Sequence, residues 1–166
     1  MSSMKLIRIS GIEPESIVDG EGIRYVIFAQ GCPHHCPGCH NPQTHPFGGG
    51  KLVLIEDILN DISKRKDWID GITISGGEPF CQIGQCSLIA QKAHGMGLSV
   101  WCYTGYLFED LYGQGAELLN YIDVLVDGPF VQAEKSLGLD FRGSRNQRVI
   151  DIPESLKEGV AILKQT

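Results

Sequence analysis

The segment GCPHHCPGCHNP, residues 31–42, carries three cysteines, Cys32, Cys36 and Cys39, at the spacing C-x₃-C-x₂-C. Thiolates held this closely on one short loop can reach three corners of a single cubane iron–sulfur cluster. Four cysteines normally saturate such a cluster, so a group of three leaves one iron open to a small ligand. This segment, hereafter the cysteine loop, therefore has the ligands for a [4Fe–4S] cluster.

The spacing alone leaves two other interpretations of the cysteine loop open. A zinc site with His34, His35 or His40 as the fourth ligand is chemically sound. The three thiols can also be buried structural groups, although their dense packing between proline and histidine argues against it. The other three cysteines are scattered, and we interpret them as small buried hydrophobic residues: Cys81, Cys86 and Cys102.

On both sides of the cysteine loop, β-prone segments alternate with segments of helical periodicity. Strands are predicted at residues 5–12, 24–29, 71–75, 98–102, 122–126 and 148–152. Helices are predicted at about 55–66, 83–94 and 107–119, with a short helix near the C-terminus. Such alternation predicts an α/β protein with a mainly parallel sheet built from βα units.

Four motifs follow predicted strands directly: the cysteine loop, Gly76-Gly77-Glu78-Pro79, Thr104-Gly105 and Asp127-Gly128. Right-handed crossovers place the carboxyl ends of parallel strands along one edge, where α/β proteins bind ligands. We therefore expect the four motifs to meet at one site.

Composition limits the function classes. The formal net charge is −6 and no long Lys/Arg run occurs, which argues against a nucleic-acid partner. The N-terminal residues lack the apolar region of a signal peptide, and no apolar run is long enough to span a membrane. We expect a cytoplasmic protein with one domain over residues 1–166 and no membrane partner.

The cysteine spacing is that of the radical S-adenosylmethionine (SAM) superfamily, and residues 18–32 resemble its glycyl-radical-activating branch. Within that branch the chain resembles the activating proteins of anaerobic (class III) ribonucleotide reductases, over about residues 10–152. The matching segments are Cys36–Cys39, Ser75–Pro79, Tyr103–Gly105, Val124–Gly128, Arg142–Ser144 and Asn146-Gln147. The chain departs from related activators at Glu21, where some have proline, and at Arg145, where others have serine. Gly38 replaces the aromatic residue of many radical SAM proteins, but the reductase activators share it.

The resemblance implies an abbreviated, partly open (β/α) barrel of the radical SAM type. It implies a [4Fe–4S] cluster on Cys32, Cys36 and Cys39, with SAM chelated to the open iron. One electron, from a low-potential donor such as flavodoxin or ferredoxin, would cleave SAM to methionine and a 5′-deoxyadenosyl radical. That radical would take a hydrogen atom from a backbone glycine of the anaerobic ribonucleotide reductase.

The same resemblance suggests SAM-binding residues. Gly76 and Gly77 would bring backbone carbonyls to the SAM ammonium group, where Glu78 adds a negative charge. Gly38, Cys39 and His40 would lie against the adenine or methionine portion.

Four residues near the predicted site have two interpretations each. Asp127 either reaches the SAM sulfonium or a cation beside it, or begins a turn with the following Gly-Pro. Thr104 is either a ligand hydroxyl or a turn former. Arg142 belongs to an arginine group (with Arg145 and Arg148) that either lies near the SAM carboxylate or docks to the reductase, or is a solvated surface. Arg24 is either near the partner or in a surface ion pair.

Three rival functions remain. The first is an activator of another glycyl radical enzyme, such as pyruvate formate-lyase. The second is a small radical SAM enzyme that acts on a metabolite. The third is a ferredoxin-like electron carrier or a zinc module, which predicts a fourth nearby ligand and no affinity for SAM.

Overall fold

A seven-stranded sheet runs through residues 5–165, the part of the chain that the computed structural model describes. The strands are β1 (Leu6–Ser16), β2 (Arg24–Ala29), β3 (Lys51–Leu54), β4 (Gly71–Gly76), β5 (Ser99–Tyr103), β6 (Val124–Asp127) and β7 (Arg148–Asp151). The helices are α1 (Ile55–Arg65), α2 (Ile83–Gly95), α3 (Phe108–Leu111), α4 (Ala116–Leu119) and α5 (Ile152–Glu158).

The strand order is β3-β1-β2-β4-β5-β6-β7, with four parallel strands at the centre, namely β2, β4, β5 and β6. On one side β1 pairs antiparallel with both β2 and β3, and on the other side β7 pairs antiparallel with β6. Because β3 and β7 stand at opposite ends of this order, the sheet stays open. The predicted α/β class with a parallel centre is confirmed.

The helices cover one face of the sheet. Helix α1 has Glu56 and Asp57 in its first turn and Lys64 and Arg65 in its last, an order that suits the helix dipole. Its buried face packs into the main core, together with α2 and the two short helices that follow β5. The strands contribute alternate residues to this core, among them Tyr25, Ile27, Ile72, Ile74, Val100, Cys102 and Leu125.

The opposite face of the sheet carries the strand residues that alternate with those of the main core. Because side chains alternate along a strand, Phe28, Ser75 and Tyr103 point away from the helices. A small second core lies on this face, formed by Trp101, Val124 and Val126 with Tyr103, Phe141 and Val149. Within residues 5–165 no α-helix packs on this face, hereafter the helix-free face, so it is available for a ligand site.

Three elements differ from the sequence prediction. The helix predicted at 107–119 is wrong: two four-residue helices stand there, α3 and α4, and the break between them contains Gly113 and Gly115, which favour turns over helix. Strand β3 was not predicted because four residues are too few for a periodicity. Strand β1 extends beyond residue 12 to Ser16, and the extension contains an irregularity in its pairing with β2, between Glu13 and Ser16, which is typical of a β-bulge.

The other predicted elements occur within about two residues of the predicted bounds. Within residues 5–165, no helix is both long and apolar enough to cross a membrane. The sequence predicts no signal peptide at the N-terminus. Residues 1–4 of that segment lie outside the described part of the chain.

Candidate active site

A cavity of about 710 Å³ lies on the helix-free face of the sheet, at the carboxyl ends of the parallel strands. Its floor includes Phe28, Ser75 and Tyr103, from three neighbouring strands. The cysteine loop forms one side, and residues 128–147, hereafter the wall loop, form another. The predicted convergence of strand-end motifs thus holds for the cysteine loop, Gly76-Gly77, Thr104-Gly105 and Gly128.

All three cysteines of the cysteine loop line this cavity. The start of the loop is fixed by backbone hydrogen bonds, from the Gly31 N–H to the Thr44 oxygen (2.7 Å) and from the Cys32 N–H to the His45 oxygen (3.0 Å). Burial raises the pKa of the Cys32 thiol, so binding of a metal there as thiolate is coupled to loss of a proton.

The three thiols fit an iron–sulfur cluster in their chemistry and in their shared cavity. Thiolates are the usual ligands of such clusters. Among residues 5–165, however, no three His, Cys, Asp or Glu side chains are gathered closely enough to form a metal-binding group. The three thiols therefore fit a cluster because of their chemistry and because they line one cavity that is large enough to hold it.

Gly76 and Gly77 line the cavity where β4 ends. The Gly77 N–H donates to the Ala29 oxygen (2.8 Å), and the next N–H, that of Glu78, donates to the Gly31 oxygen (2.8 Å). A Cβ atom at Gly77 would collide with the Gly31 carbonyl group. Glycine is needed at this position because two backbone segments touch, one of which begins the cysteine loop.

Glu78 does not line the cavity. Its side chain is fully buried and accepts hydrogen bonds from His34 Nε2 (2.6 Å), Thr104 Oγ1 (2.7 Å) and the backbone N–H groups of Gly105 (2.8 Å) and Phe80 (3.1 Å). Thr104 lines the cavity, but its hydroxyl is directed to Glu78. The structure thus differs from the expectation that the Glu78 charge faces a ligand.

Asp127 lies on the helix side of the sheet. Its neighbour Val126 belongs to the core of the helix-free face, so strand alternation turns Asp127 away from the cavity. The buried carboxylate accepts from the Phe108 N–H (2.8 Å) and from Arg148 Nε (3.0 Å) and a terminal nitrogen of Arg148. These contacts correct the sequence interpretation that Asp127 reaches SAM or a cation beside it.

Arg148 also pairs with Glu109, at 2.7 Å. Hydrogen bonds from Arg148 hold the pKa of the Glu109 carboxyl below its usual range. Arg148 is therefore a structural partner of two carboxylates and not part of a free cationic group.

Arg142 does face the cavity. One terminal nitrogen donates to the Gln147 backbone oxygen (3.1 Å), and Nε is buried without a hydrogen-bond partner within residues 5–165. A buried, unpartnered guanidinium N–H is an available donor for an anionic ligand group.

The wall loop holds its shape through Gln147. The Gln147 side-chain oxygen accepts from the Gly143 N–H (2.8 Å) and the Ser144 N–H (3.2 Å), and its nitrogen donates to the Gly128 oxygen (3.0 Å). Phe141 has a φ of 64° and packs its ring against Trp101, 5.1 Å between centroids. A bulky residue in the left-handed region marks a locally constrained backbone.

The wall loop touches the cysteine loop at its far end. The exposed His40 lines the cavity and packs against Phe130, 5.3 Å between ring centroids. Gly38 has a φ of 77°, and a Cβ atom there would lie 2.8 Å from the side chain of Gln132. Gly38 is not in the cavity lining, so its place in the site is beside the wall loop.

Ile17 and Val18, hereafter the lip, also line the cavity while remaining 73% and 70% exposed. Asp19 follows them in the lining, and its carboxylate accepts from Ser16 Oγ at 2.6 Å. The mouth of the cavity is thus bordered by apolar side chains on the surface.

Arg24 anchors the segment that carries the lip. It is 1% exposed and donates to the Glu21 backbone oxygen (2.8 Å) and to Thr73 Oγ1 (2.9 Å), while the Thr73 hydroxyl donates to the Asp19 backbone oxygen (2.6 Å). Burial lowers the pKa of Arg24 to about 10. Because Arg24 is buried, its interpretation as a surface ion pair is wrong. Its place near the partner stays a prediction, and any contribution there is made through the backbone that it holds.

Some cavity residues were not assigned a role in the site from the sequence, although three of them lie in the matching segments: Ile17, Val18, Phe28, Tyr103, Phe130 and Phe141. The alternation of side chains along β2 and β5 could have placed Tyr103 on the same face of the sheet as Phe28. The wall loop has no periodicity from which to infer its path. Cys86 and Cys102 are buried as expected, and burial raises the pKa of Cys86 to about 12. Cys81 is exposed, so the prediction that it is buried is wrong.

Comparisons with known proteins agree with this geometry. A family model described as a 4Fe-4S single cluster domain matches residues 18–150. Proteins from Haemophilus influenzae and Salmonella typhi, each named anaerobic ribonucleoside-triphosphate reductase-activating protein, are 36% and 38% identical to this chain. The alignments cover 81% and 82% of this chain, and 91% and 93% of those proteins. The chain belongs to this family of activating proteins.

The family extends to a protein of the same name from Enterobacteria phage T4, 36% identical over 83% of this chain and 90% of that protein. The crystal structure of QueE from Escherichia coli is a more distant likeness, with a TM-score of 0.43 and 19% identity over 60% of this chain and 52% of that chain. As a member of the activating-protein family with a 4Fe-4S domain, this chain has an iron–sulfur cluster as its cofactor.

Proposed function

We propose that this protein activates an anaerobic ribonucleotide reductase by generating a glycyl radical on it through reductive cleavage of SAM. One observation carries the proposal: the three cysteines share a cavity with the glycine pair that ends β4 and with Arg142, whose Nε has no hydrogen-bond partner within residues 5–165. A ligand with a carboxylate and an ammonium group finds both partners there.

Cys32, Cys36 and Cys39 would hold three irons of the cluster and leave the fourth iron to SAM. When bound, the reduced cluster and SAM supply one-electron cleavage of the sulfonium carbon–sulfur bond and hydrogen-atom abstraction. The protein contributes position and shelter, as is usual for cofactor enzymes. A single domain over residues 1–166 is part of this proposal.

The cavity residues have separate tasks. The backbone oxygens of Gly76 and Gly77 accept from the SAM ammonium group, and Arg142 donates to the SAM carboxylate. Phe28 and Tyr103 form an apolar floor that excludes water from the reacting atoms. Burial raises the pKa of Tyr103, which keeps its phenol neutral.

The reductase would close the open side of the cavity. A glycine-bearing loop of that partner would enter between the lip and the wall loop, where exposed apolar surface is available to it. A low-potential protein such as flavodoxin or ferredoxin would supply the electron.

The test is anaerobic reconstitution with iron and sulfide, followed by EPR of the reduced protein with and without SAM. We expect a cluster signal that changes when SAM is added, and methionine and 5′-deoxyadenosine as products. Incubation with a cognate class III reductase should then give the EPR doublet of a glycyl radical. A doublet on pyruvate formate-lyase but not on the reductase would transfer the assignment to the rival activator, and a colourless zinc protein would end the proposal.

A further inference from the structure

We propose that His34 and Glu78 form a latch that fixes the cysteine loop against the sheet, and that Glu78 is a positioning residue and not a ligand of SAM. The proposal deepens the proposed function, because it rests on the cysteine loop being the cluster-binding segment. It assigns the third residue of the Gly76-Gly77-Glu78 motif to the interior of the protein.

Every acceptor position of Glu78 is occupied from within the chain. An ionised carboxylate offers about four acceptor sites. Glu78 Oε1 accepts from His34 Nε2 (2.6 Å) and the Gly105 N–H (2.8 Å), and Oε2 accepts from Thr104 Oγ1 (2.7 Å) and the Phe80 N–H (3.1 Å). With its side chain fully buried, Glu78 has neither a free site nor an open path for an ammonium group.

His34 brings the cysteine loop to this carboxylate. It lies two residues after Cys32 and two before Cys36, so its position constrains both thiols. Because the contact atom on Glu78 is a carboxylate oxygen, Nε2 carries the hydrogen and donates it. The His34 ring also packs edge-on against Tyr106, 4.5 Å between centroids, which fixes its orientation.

Gly105 leaves room for the latch. A Cβ atom at Gly105 would lie 2.5 Å from His34 Cδ2, so the imidazole occupies the space that any side chain there would need. The Thr104-Gly105 pair thus donates twice to Glu78 and makes way for His34. Three segments that each follow a strand are joined at one carboxylate: the cysteine loop, the turn after β4 and the turn after β5.

This arrangement predicts how the latch affects a bound metal group. Groups hydrogen-bonded to metal ligands orient them, and their removal typically lowers metal affinity by about 10- to 100-fold. The latch acts one step further away, through the backbone that joins Cys32 to Cys36, so we expect an effect at the low end of this range. Loss of the His34 donor would free the centre of the cysteine loop and leave a buried carboxylate short of one partner. Loss of the Glu78 charge would weaken the same contact from the other side.

The experiment is a double-mutant cycle on reconstituted protein, with His34→Leu, Glu78→Gln and the double variant. His34→Gln keeps a side-chain N–H donor and serves as the rescue variant. His35→Asn is the matched control, since it removes the neighbouring imidazole with a residue that tolerates the φ of 50° found there. The readouts are iron content, the rate of iron extraction by a chelator, and the EPR line shape of the reduced cluster.

We expect each single variant to lose iron about tenfold faster than wild type, and the double variant to be no faster than the singles. Both singles should change the EPR line shape in the same way, His34→Gln should restore it, and His35→Asn should match wild type. If Glu78→Gln does not fold, His34→Leu and its rescue by His34→Gln decide the outcome.

Two results would overturn the latch. One is a double variant whose rate of iron loss is increased by the product of the two single-variant factors, which would mean that the two side chains act independently. The other is a Glu78→Gln variant that weakens SAM binding while His34→Leu and the extraction rates stay at wild-type values, which would make Glu78 a SAM ligand. Iron extraction needs neither SAM nor the reductase, so failure of the activase reaction leaves this test valid. A zinc-binding outcome would reject the proposed function. His34 is then a candidate zinc ligand, so zinc extraction from Glu78→Gln, which leaves the imidazole in place, would measure the contact.

Discussion

The α-carbon of Gly77 packs against the carbonyl group of Gly31, so the turn after β4 rests on the first residue of the cysteine loop. The Gly31 oxygen also accepts the backbone N–H of Glu78, at 2.8 Å. Two motifs that are 46 positions apart in the sequence are therefore one packed unit. A change in one of them is transmitted directly to the other.

Gly77→Ala should lower both cluster content and SAM cleavage. A Cβ atom at this position meets rigid backbone, and such overpacking costs about 1–3 kcal/mol. If Gly77 only contacted SAM, the variant would keep its cluster. Iron content therefore distinguishes a role in packing against the cysteine loop from a role in SAM contact alone. Gly84→Ala is the control, because nothing lies within 4 Å of a Cβ atom there. Wild-type iron content in Gly77→Ala would contradict the packing argument.

Cys32→Ala, Cys36→Ala and Cys39→Ala should each fail to assemble the cluster. Wild-type protein should bind about four irons and four sulfides per chain, the content of one cubane. Cys81→Ala is the matched control, since Cys81 is exposed and does not line the cavity. Iron and sulfide analysis with the visible absorption of the cluster checks the prediction, and loss of the cluster in Cys81→Ala would point to a different ligand set.

Arg142→Met should weaken SAM binding while leaving iron content unchanged. The variant keeps an apolar stem but removes the guanidinium group of this cavity-lining residue. Hydrogen bonds to charged groups contribute about 1.5–3 kcal/mol, so the Kd for SAM should rise at least tenfold. Arg145→Met, at an exposed position of the same loop, should bind SAM normally. Equal Kd values for the two variants would remove Arg142 from the site.

The sequence predicted the site better where chemistry depends on spacing than where it depends on the direction of a side chain. Cys32, Cys36 and Cys39 were found from their spacing, and Gly77 from its place after a strand. Asp127 is the last residue of β6, and alternation along the strand turns it to the helix side, where Arg148 holds it. Side chains alternate between the two faces of a sheet, so a residue at a strand end faces the ligand only if it falls on the correct face. The motif alone does not show which face that is.

Arg24 illustrates a second limit. A charged residue at the start of a strand usually indicates a surface, yet its hydrogen-bond partners include Thr73 and backbone oxygens brought there by folding. The break between α3 and α4 has a visible signal in Gly113 and Gly115, whereas the path of the wall loop has none. Long-range hydrogen bonds of this kind are set by tertiary packing and not by local pattern.

Ile17→Ser and Val18→Ser should reduce glycyl-radical formation on the reductase. If the partner buries these side chains, each replacement should raise the half-saturating reductase concentration at least tenfold, because burial of one such side chain contributes about 1.5–3 kcal/mol. Val160→Ser, at a site 57% exposed beyond α5, serves as the control. A lip variant with wild-type dependence on reductase concentration would place the docking surface elsewhere.

Arg148→Met should destabilise the fold by about 3 kcal/mol, because it leaves the buried carboxylate of Asp127 without its charged partner. Chemical denaturation of the apoprotein measures the free energy of unfolding. Arg145→Met should change it by less than about 0.5 kcal/mol, as expected for a surface substitution. A small effect in Arg148→Met would mean that water or another cation satisfies Asp127.

The anchoring of the lip determines how a partner would bind. Arg24 and Thr73 hold the backbone on the C-terminal side of Ile17 and Val18 through the carbonyl oxygens of Glu21 and Asp19, so these two side chains project from a segment fixed by folding. The conformational entropy of that segment is then lost when the chain folds and not when the complex forms. A preorganised surface of this kind favours recognition by shape, with little rearrangement of the activator backbone between its free and bound states.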